Sequence, residues 1–445
     1  MQVKATTRRE TVEVTADGDG LVSHAGAALL AELADRVGLT GALSKALSIT
    51  RERRSAHEAG RVIRDVAVMV ADGGDCVTDL AGLRGQGRLF GGIASETTAH
   101  RVLKSVDEGL LDGLRKARAA ARGRAWDAGA RPETITFDID ATIVTAHSEK
   151  ERAAGTYKRT FGFHPLLCYL DETGEPLAGL LRPGSAGSNT AEDHFKVLCL
   201  ALAQLPEQDR EREILVRADI GGATHAFTRD CRDAGIRFSV GYEVDKRVRE
   251  AILKLTESTW VTAIEADGEE RDDAWVSELT DLLDLSVWPE GTRLICRRER
   301  PHPGAQFQIF DDHGYRYTCF LTDQHGECIA KLELRHRRHA RVEDRIREGK
   351  DTGMRNLPHH AFEHNETWLE LSLIAQELLC WARLVCLDGD LATAEPKRLR
   401  HRLLHVAARI ARSGRRTHLR LQSDWPWATA LVAAFKRLRA SPALC

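Results

Sequence analysis

Apolar positions along the chain follow two rhythms, and the rhythm changes near residue 131. Between residues 23 and about 127 they recur every three or four positions. Ala27-Ala28-Leu29-Leu30-Ala31-Glu32-Leu33 and Val62-Ile63-Arg64-Asp65-Val66-Ala67-Val68-Met69-Val70 are examples, and the spacing predicts helices. Gly73-Gly74-Asp75 and Gly91-Gly92 punctuate them, and Ser95-Glu96-Thr97-Thr98 has the form of a capped helix start. The polar residues before them, 1 to about 20, offer one ragged strand at most. Past Pro132 the texture turns to strands. Residues 134–144 are rich in Thr, Ile, Phe and Val, the side chains that suit a pleated surface. Leu166–Leu170, a turn over 171–175 and a returning strand over 177–181 complete an antiparallel meander with it. Asn189-Thr190-Ala191-Glu192 has capping-box spacing and opens a helix to about Ala203. A strand over 213–219, Gly221-Gly222, a helix over 223–234 and a strand over 237–242 follow.

Three strands, a helix, a strand ending on Asp, a helix and a strand predict an α/β fold with a ribonuclease-H-like mixed sheet. Residues 250–330 interrupt it with short strand patterns around Trp260, Ala274-Trp275-Val276, Leu285-Ser286-Val287-Trp288, 292–296, Phe307-Gln308-Ile309-Phe310 and 315–321. They read as a β-rich insertion. Helices resume at about Cys328, become long and apolar over 365–387, and end with one over 428–439. The expected organisation is therefore an N-terminal helical segment (1–130), the first part of the catalytic sheet (131–249), the insertion (250–330), helices completing the site (331–390) and a basic C-terminal helical region (391–445). The first segment fits a DNA-binding domain with a helix-turn-helix and a plain helical scaffold equally well.

Candidate chemistry begins with Asp138 and Asp140. Two residues apart on a strand, they project to one face, and desolvated charge is costly there unless paired or bound to a metal. An edge strand with both acids in water is the alternative at this point. Asp219 closes a later strand. In the run over 336–350, His336, His339, Glu343 and Lys350 are spaced by 3, 4 and 7 and share a helix face. A Glu flanked by basic groups there can ligate a metal while its neighbours hold phosphates. A solvated helix with intrahelical pairs gives the same pattern.

Composition changes this picture little. A length of 445 residues allows about three domains. The formal charge of -2 is not that of a uniformly basic nucleic-acid binder, yet positive charge is clustered. Residues 397–420 hold nine Lys or Arg and no Asp or Glu, and shorter clusters lie at 51–54, 115–124 and 335–341. Such faces suit a protein that grips phosphates locally, although each alone also reads as a solvated helix face. The ten cysteines form no Cys-x-x-Cys pair, which points to buried reduced thiols and away from zinc or disulfides. The start lacks the apolar stretch of a signal peptide and nothing approaches about 18 continuous apolar residues, so a cytoplasmic location is expected.

The ordered set of motifs resembles the Asp-Asp-Glu transposases of bacterial insertion sequences, in the cut-and-paste branch with a β-strand insertion and most closely its thirteen-eighty group. Asp140 in Asp-Ala-Thr matches the first acid and Asp219 in Arg-Ala-Asp-Ile-Gly-Gly the second. Glu343 and Lys350 fit a Tyr-x2-Arg-x3-Glu-x6-Lys pattern, with His336 where Tyr is usual and His339 where Arg is usual. Leu181-Arg182-Pro183-Gly184, Asn365-Glu366-Thr367-Trp368 and Arg400-His401-Arg402-Leu403-Leu404-His405 are similar to family segments. The resemblance implies that Asp140, Asp219 and Glu343 hold two Mg²⁺ ions, with Mn²⁺ able to substitute, about 3.5–4 Å apart. It implies cleavage at the terminal inverted repeats, a hairpin on the element's end, and transfer of the 3′-hydroxyl to target DNA. It also implies a dimer in the synaptic complex and a chain that sits on the nucleoid when bound. Lys350, His336, His339, Arg345 and Arg182 are the expected DNA contacts. Trp275 and Trp288 are candidates to hold a flipped base, or else core of a small β unit. Asp138 is the runner-up for the first acid, and Asp344 and Glu348 for the third. The alternatives are an inactive or captured DNA-binding derivative and a ribonuclease-H-like nuclease without strand transfer.

Overall fold

The computed structural model describes residues 12–48, 57–301 and 314–444. The basic cluster at 51–54 and the strand expected at Phe307-Gln308-Ile309-Phe310 lie outside them, as does most of the ragged N-terminal strand. After a short strand β1 (Leu21–Val22), seven helices follow: α1 (Ala27–Arg36), α2 (Leu39–Ala46), α3 (Ala59–Ala71), α4 (Leu80–Arg84), α5 (Gly87–Phe90), α6 (Glu96–Lys104) and α7 (Glu108–Ala125). The expected cap of α6 is present, with Ser95 Oγ accepting from the Thr98 amide at 3.3 Å. Helix α3 is buried on every side from Val62 to Ala71, as a core helix is and a solvent-facing recognition helix is not.

Strands β2 (Ile135–Ala141), β3 (Val144–Thr145), β4 (Ala154–Gly155), β5 (Phe161–Phe163), β6 (Leu166–Leu170) and β7 (Pro176–Leu180) come next, then α8 (Ala191–Ala203), β8 (Ile214–Ala218), α9 (His225–Asp233), β9 (Arg237–Tyr242) and α10 (Lys246–Ile252). The small sheet β3-β5-β4 was not legible from the pattern. The capping box expected at α8 does not form, because Thr190 Oγ1 turns back to donate to the Gly187 carbonyl at 3.5 Å.

The segment expected as an insertion supplies β10 (Val261–Ile264), β11 (Glu270–Glu278), β12 (Arg293–Glu299) and β13 (Arg316–Thr322). These strands extend the central sheet: β13 pairs antiparallel with β9, giving nine strands in the order β10-β11-β12-β13-β9-β8-β2-β6-β7. Leu285-Ser286-Val287-Trp288 is a turn, not the expected strand, with the Trp288 amide bonded to Leu285 O at 2.9 Å. Inside the sheet β2 is parallel to β8, and β8 to β9, while β2-β6-β7 is the antiparallel meander.

Helices α11 (Ile329–Arg337) and α12 (Arg341–Gly349) are joined by one tight 3-10 turn, Arg338–Ala340. The long apolar helix α13 (Phe362–Trp381) packs against β7, α3, α7 and α12. Gly179 on β7 makes that approach possible, since a Cβ there would lie 3.2 Å from the side chains of Leu369 and Leu373. After α14 (Pro396–Leu399), the basic stretch corrects an expectation. Where helix was expected, β14 (Ala408–Ser413) and β15 (Arg416–Leu421) form a hairpin paired to β1. Ala408 and Ile410, and Leu419 and Leu421, alternate with polar positions in a strand period that the arginines had masked. Helix α15 (Ala428–Ala440) closes the fold.

Candidate active site

Strand β2 lies between β6 and β8, so its residues are flanked by backbone on both sides. Asp138 pairs across with Tyr169 and Asp140 with Leu167, and such directly opposed positions share a face. Tyr169 reaches Gln376 of α13 at 3.1 Å, which sets that face toward α12 and α13.

The two acids on this face have different fates. Asp138 is 1% exposed and fully engaged. Arg217, its register partner on β8, grips both oxygens at 2.7 Å, and His339 Nδ1 lies 2.9 Å from Oδ1. Arg217 also reaches Asp171 at 2.9 Å and donates to Arg335 O at 2.5 Å. A carboxylate so occupied orients its neighbours, and Asp138 is not left as a free ligand. Asp140, one step on toward the strand end, accepts one bond, from the Ala141 amide at 2.7 Å. Its carboxyl is pushed up to about 6, first by burial, next by the charge of Asp219, with a smaller push from Glu343; His339 and the Ala141 amide oppose the rise.

Asp219 follows β8, the parallel neighbour of β2, so both acids emerge at the same end of the sheet. Its Oδ1 caps the turn Ile220–Gly222 by accepting from the Gly221 amide at 2.8 Å. That turn crosses the end of β9 at Gly241, where a Cβ would come within 3.0 Å of Ile220 N and 3.1 Å of Asp219 C. Glu343 lies in the first turn of α12, exposed, on the helix that packs over β2. Among the described residues, the second oxygens of Asp140 and Asp219 and both oxygens of Glu343 have no hydrogen-bond or ion-pair partner. Lys350 is half-buried just past α12. Its ammonium is weakened by burial and by Lys158 and Arg355, and strengthened by Asp140.

The structure thus brings Asp140, Asp219, Glu343, His339 and Lys350 within electrostatic reach of one another or of Asp140. Other expected contacts lie elsewhere. His336 stacks on Phe320 at 4.3 Å and bonds Ser239 at 2.9 Å, so it packs inward, and burial holds its ring well below the usual histidine range. Arg182 is 3% exposed and bonds His164 O, Gly187 O and Asp193, which corrects the expectation of a DNA contact. Arg345 leans on Gly174 and Glu348, away from the acids. Trp288 is buried against His225 and Tyr242, while Trp275 and Trp260 sandwich Arg298 with Tyr315. The runner-up acids are taken as well, Glu348 by Arg383 at 3.1 Å and Asp344 by Arg347 at 2.7 Å. Sequence reasoning missed Arg217, whose pairing depends on a parallel register, and His164 and His194, which sit within reach of Asp219.

Carboxylates gathered without a cation among them are the donor set of a hard divalent ion. An Asp140 carboxyl raised first by burial and then by the charge of Asp219, together with the free oxygens, fits the residues present to such ions. The model of the family described as Transposase DDE domain group 1 matches residues 4–443. The chain belongs to that family. A DDE transposase domain implies an enzyme of DNA cleavage and strand transfer that uses divalent metal ions. No curated protein matches the chain. Among solved structures, a cryo-EM structure of piggyBac transposase synaptic complex with hairpin DNA is similar at a TM-score of 0.37 and 10% identity. The likeness covers 86% of this chain and 80% of that one, and is too slight to bear on mechanism. No helix among the described residues is long and apolar enough to cross a membrane.

Proposed function

We propose that the chain is the cut-and-paste transposase of a bacterial insertion sequence, related to the thirteen-eighty group. In this reading it binds the terminal inverted repeats as a dimer, cleaves them through hairpin ends, and joins the 3′-hydroxyls to target DNA. The strand order β7-β6-β2-β8-β9 supports a ribonuclease-H-like catalytic unit. The observation that carries the proposal is the state of Asp140: buried, pushed up by Asp219 and Glu343, and left with an oxygen that no protein group satisfies. Asp140, Asp219 and Glu343 would hold the divalent ions, Mg²⁺ by their hard oxygen donors. The count of two ions is what the family resemblance implies.

When bound, the ions activate the attacking oxygen and stabilise the leaving one. The protein supplies the rest. Asp138 and Arg217 lock one another on neighbouring strands, and Asp138 holds His339 through its Nδ1, near enough to Asp140 to act on its charge. Lys350 offers a partly desolvated ammonium to a phosphate oxygen beside the cut. His336 and His339, which stand where Tyr and Arg are usual, are both built into the fold here, His336 through Ser239 and His339 through Asp138.

The test is to incubate the full chain with duplexes carrying the DNA ends that flank its gene, with and without Mg²⁺. Mg²⁺-dependent nicking, hairpin formation and joining to a target plasmid are expected. Salt-sensitive binding without cleavage would make it a captured binder, and cleavage without joining a plain nuclease; either result overturns the proposal.

A further inference from the structure

Far along the chain from the acids, three side chains converge where its two ends meet. His24 precedes α1, Asp72 follows α3, and His405 precedes β14. Among the described residues, these form the one set of three His, Cys, Asp or Glu whose ligand atoms all lie within 4.8 Å of one another. His24 Nδ1 contacts Asp72 Oδ2, and His405 Nε2 stands 3.2 Å from Asp72 Oδ1. The two imidazoles lie 4.3 Å apart, tilted by 35°. Asp72 is 8% exposed, and each of its buried oxygens faces an imidazole nitrogen, Oδ2 that of His24 and Oδ1 that of His405. Among the described residues no Lys or Arg ion pair joins them: Arg400 donates to Ala71 O at 2.8 Å and to Thr352 Oγ1 at 3.3 Å.

We propose that His24, Asp72 and His405 form a site for a single borderline-soft divalent ion, of which Zn²⁺ is the type, with water completing a fourth position. Two imidazole nitrogens and a carboxylate are ordinary zinc donors, and bond lengths of about 2.0–2.2 Å place neighbouring ligand atoms roughly 3.3 Å apart. The groups here already approach that spacing, so small side-chain rotations close the site. Binding would displace the proton that His24 Nδ1 shares with Asp72, and would release His405 Nε2 from the Asp72 carbonyl it meets at 2.9 Å. The ion would pin together segments already joined by backbone bonds, Ala25 to Val406 and Gly26 to Leu404, and so anchor the basic hairpin β14-β15 to α3. This site is separate in position and in ligand type from the three acids.

The full chain, stripped with chelator and carrying Asp140→Ala, Asp219→Ala and Glu343→Ala to silence the other cation site, is titrated with Zn²⁺ in excess Mg²⁺. One equivalent is expected to bind, raise the melting temperature and give an X-ray absorption spectrum with two imidazoles. His24→Gln and His405→Gln keep a hydrogen-bonding side chain at each position, and each is expected to weaken binding by at least about 10-fold. Asp72→Asn, which keeps the shape, is expected to do the same. Absence of a bound equivalent in the parent, or equal binding in the Gln variants, overturns the proposal and leaves a hydrogen-bonded His-Asp-His relay.

Discussion

Two clusters of charge in this molecule obey opposite rules. Between α7, α13 and the β6-β7 turn lie Arg118, Arg122, Glu175, Glu370 and Glu377, all 2% exposed or less. Every one is paired. Arg118 clasps Glu377 at 2.9 Å with two nitrogens and bonds Pro176 O and Glu370; Arg122 bonds Glu175 at 3.1 Å and also Glu377; Trp126 and Trp381 finish Glu175 at 3.0 and 2.7 Å. At the end of β2 and β8, by contrast, Asp140, Asp219 and Glu343 share no Arg or Lys ion pair among the described residues. The sealed cluster holds parts of the fold in register, because removing any member strands a buried charge. The open one is strained by like charge and gains from a ligand that neutralises it. Stability and function are thereby written in the same residue types, distinguished by whether a counter-charge is built in.

The comparison can be broken at four points. Asp219→Ala is expected to cut Mg²⁺-dependent strand cleavage by about 10³-fold or more, since cation binding at the reacting phosphate is worth several kcal/mol. Its metal-free melting temperature should hold or rise, and a fall of several degrees would mean that the acid is structural. Glu377→Gln should do the reverse, costing about 3–5 kcal/mol in chemical denaturation through the unmatched Arg118 and Arg122.

Third is pH. The folded value of Asp140, about 6, lies above its unfolded value near 3.8, so between those limits the unfolded chain releases its proton first. Metal-free stability should therefore fall as pH rises from about 4 to 6, by at most about 3 kcal/mol from this group, and level off above. Asp140→Asn should flatten that slope, and added Mg²⁺ should offset it. The smallest effect belongs to His339→Gln, which loosens the link between Asp138 and the acids. Cleavage should drop about 10-fold, roughly 1.4 kcal/mol, with little change in melting. A fall as deep as that of Asp219→Ala would make His339 a direct ligand.

Much of this architecture was legible in the residues. The β-branched, period-two runs gave β2, β6, β7, β8 and β9 nearly to the residue, and helical spacing gave α8 and α13. The shared face of Asp138 and Asp140 was readable too, since it follows from pleating alone. What stayed hidden depends on partners distant in sequence. Nothing local says that Arg217 stands opposite Asp138, so the sequence could not tell which acid would be consumed by pairing. Nor could it show that β13 docks on β9. The C-terminal hairpin was masked by its own arginines, and His24, Asp72 and His405 come together through the closure of the chain's ends.

The unbroken sheet acts as a ruler. Strands stand about 4.8 Å apart, so five steps, about 24 Å across the sheet, separate β2 from β11. The register also puts Trp275 and its arginine stack on the face opposite Asp138 and Asp140. Hydrogen bonds, not a hinge, fix that offset, so the two faces are held as one rigid body.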